Sequence, residues 1–265
     1  MTKDYFTEFD LLQAVHGAFQ LPENAPQVRS KPRASSLTGD AREIAYMMAN
    51  VQKSNPHADN ADRVDMAFTQ EQGRLCEDIT VGALAQLGWP VEDRQIALPA
   101  DYFVTGHPDG IIGGRTLFEH KLYGRFAYKD LAREGIWGSK GRDILAQGAL
   151  YADALGLDDV LIVVASQDAS SIRLEFKQAA FRNKGLNPKI MLFRVEMADL
   201  AHLIPPLKAR AQFFIDWMAN DGDPAHVAWE SAPGPSKFPW SYSEYLDRAV
   251  ADGPGGLVAP PAFTW

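Results

Sequence analysis

Apolar residues recur every three to four positions in some stretches of this 265-residue chain and alternate with polar ones in others. The helical spacing predicts helices over 4–17, within SSLTGDAREIAYMMANVQ (35–52), over roughly 66–87, over 141–157 and over 199–219. The second should be entered from its Ser or Thr residues, whose hydroxyls accept hydrogen bonds from the free N–H groups of a first turn. Gly88 should stop the third, because glycine takes the left-handed conformation at little cost. Alternation, or a short continuous apolar run, predicts strands over 94–98, 102–112, 115–122, DVLIVVAS (159–166), SIRLEFKQ (171–178) and KIMLFRVE (189–196). Gly113-Gly114 joins two of these in a tight hairpin. The Pro- and Gly-rich end, with aromatic residues inserted, reads as an irregular wrap. Together these elements predict an α/β class, a central mixed β-sheet flanked by helices. No linker or repeat divides the chain, so a single domain over 1–265 is expected, with N-terminal helical elements and the C-terminal wrap.

Composition narrows this only slightly. The apolar fraction is 46% and the charged fraction 23%, which supports a sizeable core. A net charge of −8 argues against coating nucleic acid by bulk charge, though not against a local basic groove. No apolar run approaches the roughly 20 residues of a membrane span. The first residues carry acids and lack a signal-peptide core. A soluble protein of the cytoplasm, with no membrane partner, is the expectation. The single cysteine, Cys76, excludes an internal disulfide and a four-cysteine metal site. It should be a small buried residue on its helix.

One stretch concentrates chemistry. TGHPDGIIGGRTLFEHKLYG (105–124) holds His107, Asp109, Glu119 and Lys121 amid apolar and turn residues. Strand side chains alternate faces, so Glu119 and Lys121 share one face of the second strand and His107 and Asp109 one face of the first. A turn at Gly113-Gly114 brings Asp109 level with Glu119, and directly opposite residues have Cβ atoms only about 5 Å apart. Two carboxylates that close repel unless a cation sits between them. Hard divalent cations such as Mg²⁺ favour such oxygen ligands. Lys121 beside them can orient a water or offset the charge of a phosphate transition state. The plain alternative is a solvated charge network. The H-x-D ahead of the hairpin and the apolar Leu-Phe before Glu119 weigh against it.

GHPDGII and LFEHK together resemble the signature of the PD-(D/E)XK nuclease superfamily, and the His and Gly ahead of the Asp resemble its RecB-type exonuclease branch. QGALY, Gln147 to Tyr151, is similar to that branch's Q-x-x-x-Y motif, and its two side chains share a helix face at i and i+4. The resemblance implies a restriction-endonuclease-like core and a Mg²⁺- or Mn²⁺-dependent DNA nuclease. It implies Asp109 and Glu119 as main metal ligands, His107 as a further ligand, the backbone carbonyl of His120 facing the metal, and Lys121 acting on the water. A helix Glu ahead of the sheet also belongs to the pattern. Glu77 is the choice, with Asp78 and Glu71 as competitors. Gln147 and Tyr151 would support the substrate. In iron–sulfur relatives the opening helix and closing segment carry cluster cysteines. Here the corresponding positions hold Asp40, Trp240, Ser243 and Ala249, so no cluster is expected. An aromatic clasp from Phe238, Trp240, Tyr242 and Tyr245 would take its place.

Between Lys121 and Arg142 lie six basic residues against two acids, with aromatics interleaved. Basic residues contact phosphates and aromatics stack on unpaired bases. Arg125, Lys129, Tyr128, Trp137, Lys140 and Arg142 are therefore candidate DNA contacts. The resemblance points to an exonuclease acting on single- or double-stranded DNA ends, in phage or bacterial recombination, repair or DNA processing, with a possible recombination partner protein. The alternatives are an endonuclease of the same fold and a non-catalytic DNA-binding subunit.

Overall fold

The structure, a computed structural model, describes residues 28–51, 60–167, 190–230, 252 and 258–261. The expected helix 4–17, the strand 171–178 and the aromatics at 238–245 lie outside them. After a 3₁₀ turn (Ala34–Ser36) come helices α1 (Ala41–Met48) and α2 (Asn60–Gln86) and strands β1 (Val91–Glu92), β2 (Gly110–Ile112) and β3 (Thr116–Tyr123). Helices α3 (Arg125–Glu134) and α4 (Arg142–Leu155) lead to β4 (Asp159–Ser166) and β5 (Ile190–Glu196). A short turn of helix, α5 (Met197–Leu200), precedes α6 (Ile204–Asn220). No helix among the described residues is long and apolar enough to cross a membrane.

The strands form one mixed sheet in the order β1-β2-β3-β4-β5. Among the described strands only β3 and β4 run parallel, and α3 and α4 make the crossover that a parallel pair requires. Gly113 and Gly114 have φ of 57° and 66°, left-handed values that glycine adopts at little cost, in a three-residue connection that leaves Ile112 paired with Thr116. The resulting register pairs Gly110 with Phe118 and Ile111 with Leu117. One step further along, Asp109 stands opposite Glu119.

Alternation along β3 sorts its side chains onto two faces. Leu117 joins Ile111, Val160, Ile162, Val164, Ala149, Leu150 and Phe214 in the main core. Phe118 joins Ile112 and Val163 in a smaller cluster covered by Val81 and Leu84 of α2. Glu119 and Lys121 fall on the Leu117 side, toward α4.

Four expectations are corrected. The cap of α1 is Asp40, whose Oδ1 accepts from the N–H of Arg42 at 3.0 Å, rather than a Ser or Thr. Residues 94–98 form no strand, and only the end of 102–112 does. The left-handed backbone of Asp93 and Gln95, with φ of 49° and 56°, is incompatible with a pleated ladder. Cys76 is half-buried rather than fully so. The last long helix starts at Ile204, where Pro205 and Pro206 suit a first turn that needs no N–H donors.

Two arginines join distant parts of the chain. Arg42 of α1 and Arg210 of α6 are almost wholly buried. Arg42 donates to the carbonyls of Val227 and Ala225. Arg210 donates to the carbonyls of Leu37 and Gly39 and forks onto Glu230. Glu230 also accepts from the N–H of Ala41, and its own N–H donates to Asp40.

Candidate active site

The acids meet where β2 begins and β3 passes its midpoint. Glu119 is fully buried, and its Oε2 accepts from Lys121 Nζ at 3.0 Å. Its Oε1 is buried with no hydrogen-bond partner among the described residues. Asp109 is half-buried; its Oδ2 accepts from the backbone N–H of His120 at 2.7 Å and its Oδ1 from the Gln95 carboxamide at 3.2 Å. Burial pushes the Glu119 carboxyl up to about 7; Lys121 opposes that rise and Asp109 adds to it. For Lys121, burial alone would lower the ammonium, but the carboxylates of Glu119 and Asp109 outweigh it and hold it above the ordinary lysine value.

Glu77 faces this pair from α2. Burial raises its carboxyl, and the charge of Asp109 raises it further while Arg94 opposes. Its competitors are engaged elsewhere. Glu71 pairs with Arg74 on the exposed side of α2, and Asp78 shares Arg74 and Arg94. From the opposite side, Tyr151 of α4 reaches toward the acids. Burial raises its hydroxyl, with the Glu119 charge adding to the effect, and the hydroxyl accepts from Gln147 at 3.2 Å. Tyr151 lies flat on Gly106, where an added Cβ would sit 2.2 Å from the phenol oxygen. The glycine before His107 thus makes room for the tyrosine.

The structure brings together Asp109, Glu119, Lys121, Glu77, Tyr151 and Gln147. It leaves His107 exposed, without a hydrogen bond or ion pair among the described residues. The His120 ring points to the other face of β3, where it is buried, its Nε2 has no partner among the described residues, and burial lowers its pKa. Only its backbone joins the site. No three His, Cys, Asp or Glu side chains among the described residues are gathered closely enough to hold a metal by themselves. The donor set nonetheless suits a hard cation. It is all oxygen, the Asp109 charge adds to the rise of the Glu119 and Glu77 carboxyls, and one buried carboxylate oxygen has no partner among the described residues. Backbone or substrate oxygens would complete such a shell. Sequence reasoning missed Arg94 and Gln95. Their signal was a polar Asp-Arg-Gln run inside a stretch taken for a strand.

The basic segment forms α3 and the turn after it. Arg125, Lys140 and Arg142 are exposed and Lys129 half-buried. Trp137 is half-exposed and stacks on His202, with ring centroids 6.4 Å apart. Tyr128 is corrected: it is fully buried in the main core beside Leu131, so its ring cannot meet a base. Phe126, on the outward side of α3, is 78% exposed instead. Glu134 accepts from the N–H and hydroxyl of Ser139 and pins the turn.

No protein-family model matches the chain, and no protein of curated function matches it in sequence. Among solved structures it is similar to an alkaline exonuclease from Laribacter hongkongensis, at 14% identity and a TM-score of 0.43, over 90% of this chain and 98% of that one. It is also similar to a phage-related exonuclease from Haemophilus somnus 129PT, at 14% identity and a TM-score of 0.44, over 73% of this chain and 96% of that one. A structure of the Laribacter enzyme in complex with dAMP matches at 14% identity and a TM-score of 0.37, over 71% and 91% of the two chains.

Proposed function

We propose that the chain is a divalent-metal-dependent DNA exonuclease hydrolysing phosphodiester bonds. The observation that carries this reading is the buried Glu119, opposite Asp109, with one carboxylate oxygen on Lys121 and the other unpartnered. A Mg²⁺ or Mn²⁺ ion held by Asp109 and Glu119 would supply Lewis-acid activation of a phosphate and of a water. The chain's own residues do the rest. Lys121 keeps its proton and directs it at developing negative charge. The His120 N–H fixes Asp109. Glu77 adds a third acidic charge at the rim. Tyr151 and Gln147 close the side toward α4.

Asp109, Glu119 and Lys121, brought together with Gln147 and Tyr151, support a catalytic protein over a non-catalytic subunit, because the acids and the lysine that such chemistry needs are retained in sequence. Action on DNA ends, within phage or bacterial recombination, repair or DNA processing in the cytoplasm, is the role that the resemblance implies. Digestion of end-labelled linear and of circular DNA, with Mg²⁺, Mn²⁺ or EDTA, tests the reading. Loss of linear DNA only, dependent on metal and abolished by Asp109→Asn or Glu119→Gln, is expected. Cleavage of circles would make it an endonuclease. Full cleavage by either variant would remove the assignment.

A further inference from the structure

The loop between β1 and β2 brings a guanidinium to the acids that the reading above does not use. One nitrogen of Arg94 lies 2.8 Å from Glu77 Oε1 and 2.7 Å from Asp78 Oδ1. Its neighbours Asp93 and Gln95 both hold left-handed backbone, with φ of 49° and 56°, which residues bearing side chains seldom adopt. Such conformations persist where surrounding contacts over-determine them, and they gather at functional sites. Here the contacts are visible. The Gln95 N–H donates to the Pro108 carbonyl at 3.0 Å, and its carboxamide holds Asp109. Two unfavoured residues therefore deliver Arg94 to Glu77 and Gln95 to Asp109.

The Arg94 side chain is 37% exposed while Glu77 is 14% exposed, so the guanidinium sits at the solvent mouth of the acids. A guanidinium matches a phosphate fork as well as a carboxylate. Its present partners are acids that a divalent cation would also attract. A cation held by Asp109 and Glu119 would bring positive charge to the side of Glu77, taking over the role that Arg94 plays now, and would repel Arg94 outward.

We propose that Arg94 is a phosphate-binding residue, held on Glu77 and Asp78 until a divalent cation takes over that charge, and then turned to the phosphate of a bound DNA strand. This rests on the nuclease reading. Arg94 thereby couples metal to substrate: the strand is gripped at the mouth only when the acids are loaded.

The test uses Arg94→Gln and Arg94→Lys in the full chain. Calorimetry measures Mn²⁺ binding. Fluorescence anisotropy measures binding of a short duplex over a salt series, in a Lys121→Met background that prevents cleavage, with Mn²⁺ or with EDTA. Arg94→Gln should bind Mn²⁺ about fivefold more tightly, because a positive charge leaves the acids. With Mn²⁺ its salt slope for DNA should fall by about one, the loss of one phosphate contact. In EDTA the two slopes should coincide, since Arg94 then stays on its acids. Arg94→Lys should keep the slope but bind the duplex more weakly than Arg94 does at each salt concentration with Mn²⁺, as an ammonium lacks the fork. Equal slopes in Mn²⁺, or weaker Mn²⁺ binding by Arg94→Gln, would show that Arg94 only braces the loop and overturn the proposal. A wild-type chain that binds no Mn²⁺ and cuts no DNA would overturn the nuclease reading itself, which is a separate outcome.

Discussion

Glu119 is the most constrained residue of the site. Its folded-state pKa is raised to about 7 from an ordinary 4.5, so the native state binds its proton more tightly than the unfolded chain does. The stability this contributes is fully present below about 4.5 and is lost as pH rises through about 7. Without added metal, thermal melts should therefore fall across that window. Glu119→Gln, which cannot ionise, should flatten the fall. A wild-type melting profile that is level from pH 4.5 to 7 would refute the assignment. Asp109, Glu119 and Lys121 were legible in the sequence because strand alternation and a hairpin of fixed length leave no freedom about which side chains meet. Tyr128 was not. Composition marks an aromatic among basic residues, but burial is decided by which side of α3 faces the sheet. Tyr128→Ala should cost about 3–5 kcal/mol of stability in denaturant titrations. It should leave the salt slope of DNA binding unchanged, whereas Trp137→Ala should weaken single-strand binding with little loss of stability.

At the scale of elements, strands β4 and β5 and helices α2 and α4 fell close to where periodicity put them, since each carries an unbroken apolar stripe. The stretch 94–98 did not form a strand because Arg94 and Gln95 are drawn to acids that lie elsewhere in sequence, and no periodicity encodes that attraction. The packing of α4 onto the site is likewise invisible in one dimension. It depends on Gly106 accepting the Tyr151 ring. Gly106→Ala should cost about 1–3 kcal/mol through overpacking and lower cleavage. In a Tyr151→Ala background the same substitution should be nearly neutral, because the clash is gone. A double-mutant cycle measured by chemical denaturation checks this; additive losses would mean that Gly106 serves something other than the tyrosine.

For the whole molecule, a mixed sheet between helices was readable from element order. What holds the two ends of the described chain together was not. The bonds from Arg42 and Arg210 span 171 to 185 residues, and a buried arginine in a helix looks like any amphipathic position. Breaking a buried, fully bonded charge is severe, so Arg210→Ala should destabilise by about 3–5 kcal/mol in thermal melts. At temperatures where it remains folded, Mn²⁺ binding should be unaltered.

These bonds also fix an order of events during synthesis. A chain emerging from its N-terminus presents all five strands, and with them Asp109, Glu119 and Lys121, well before Ala225, Val227 and Glu230 exist. Helix α1 precedes these strands, yet the carbonyls that accept from its Arg42 are made after them. The nascent sheet and its acids can assemble early, as N-terminal parts of a chain generally do, but the Arg42 side chain gains its carbonyl acceptors only when residues 225–227 arrive. The bonds that anchor α1 are thus completed by residues that never approach the acids.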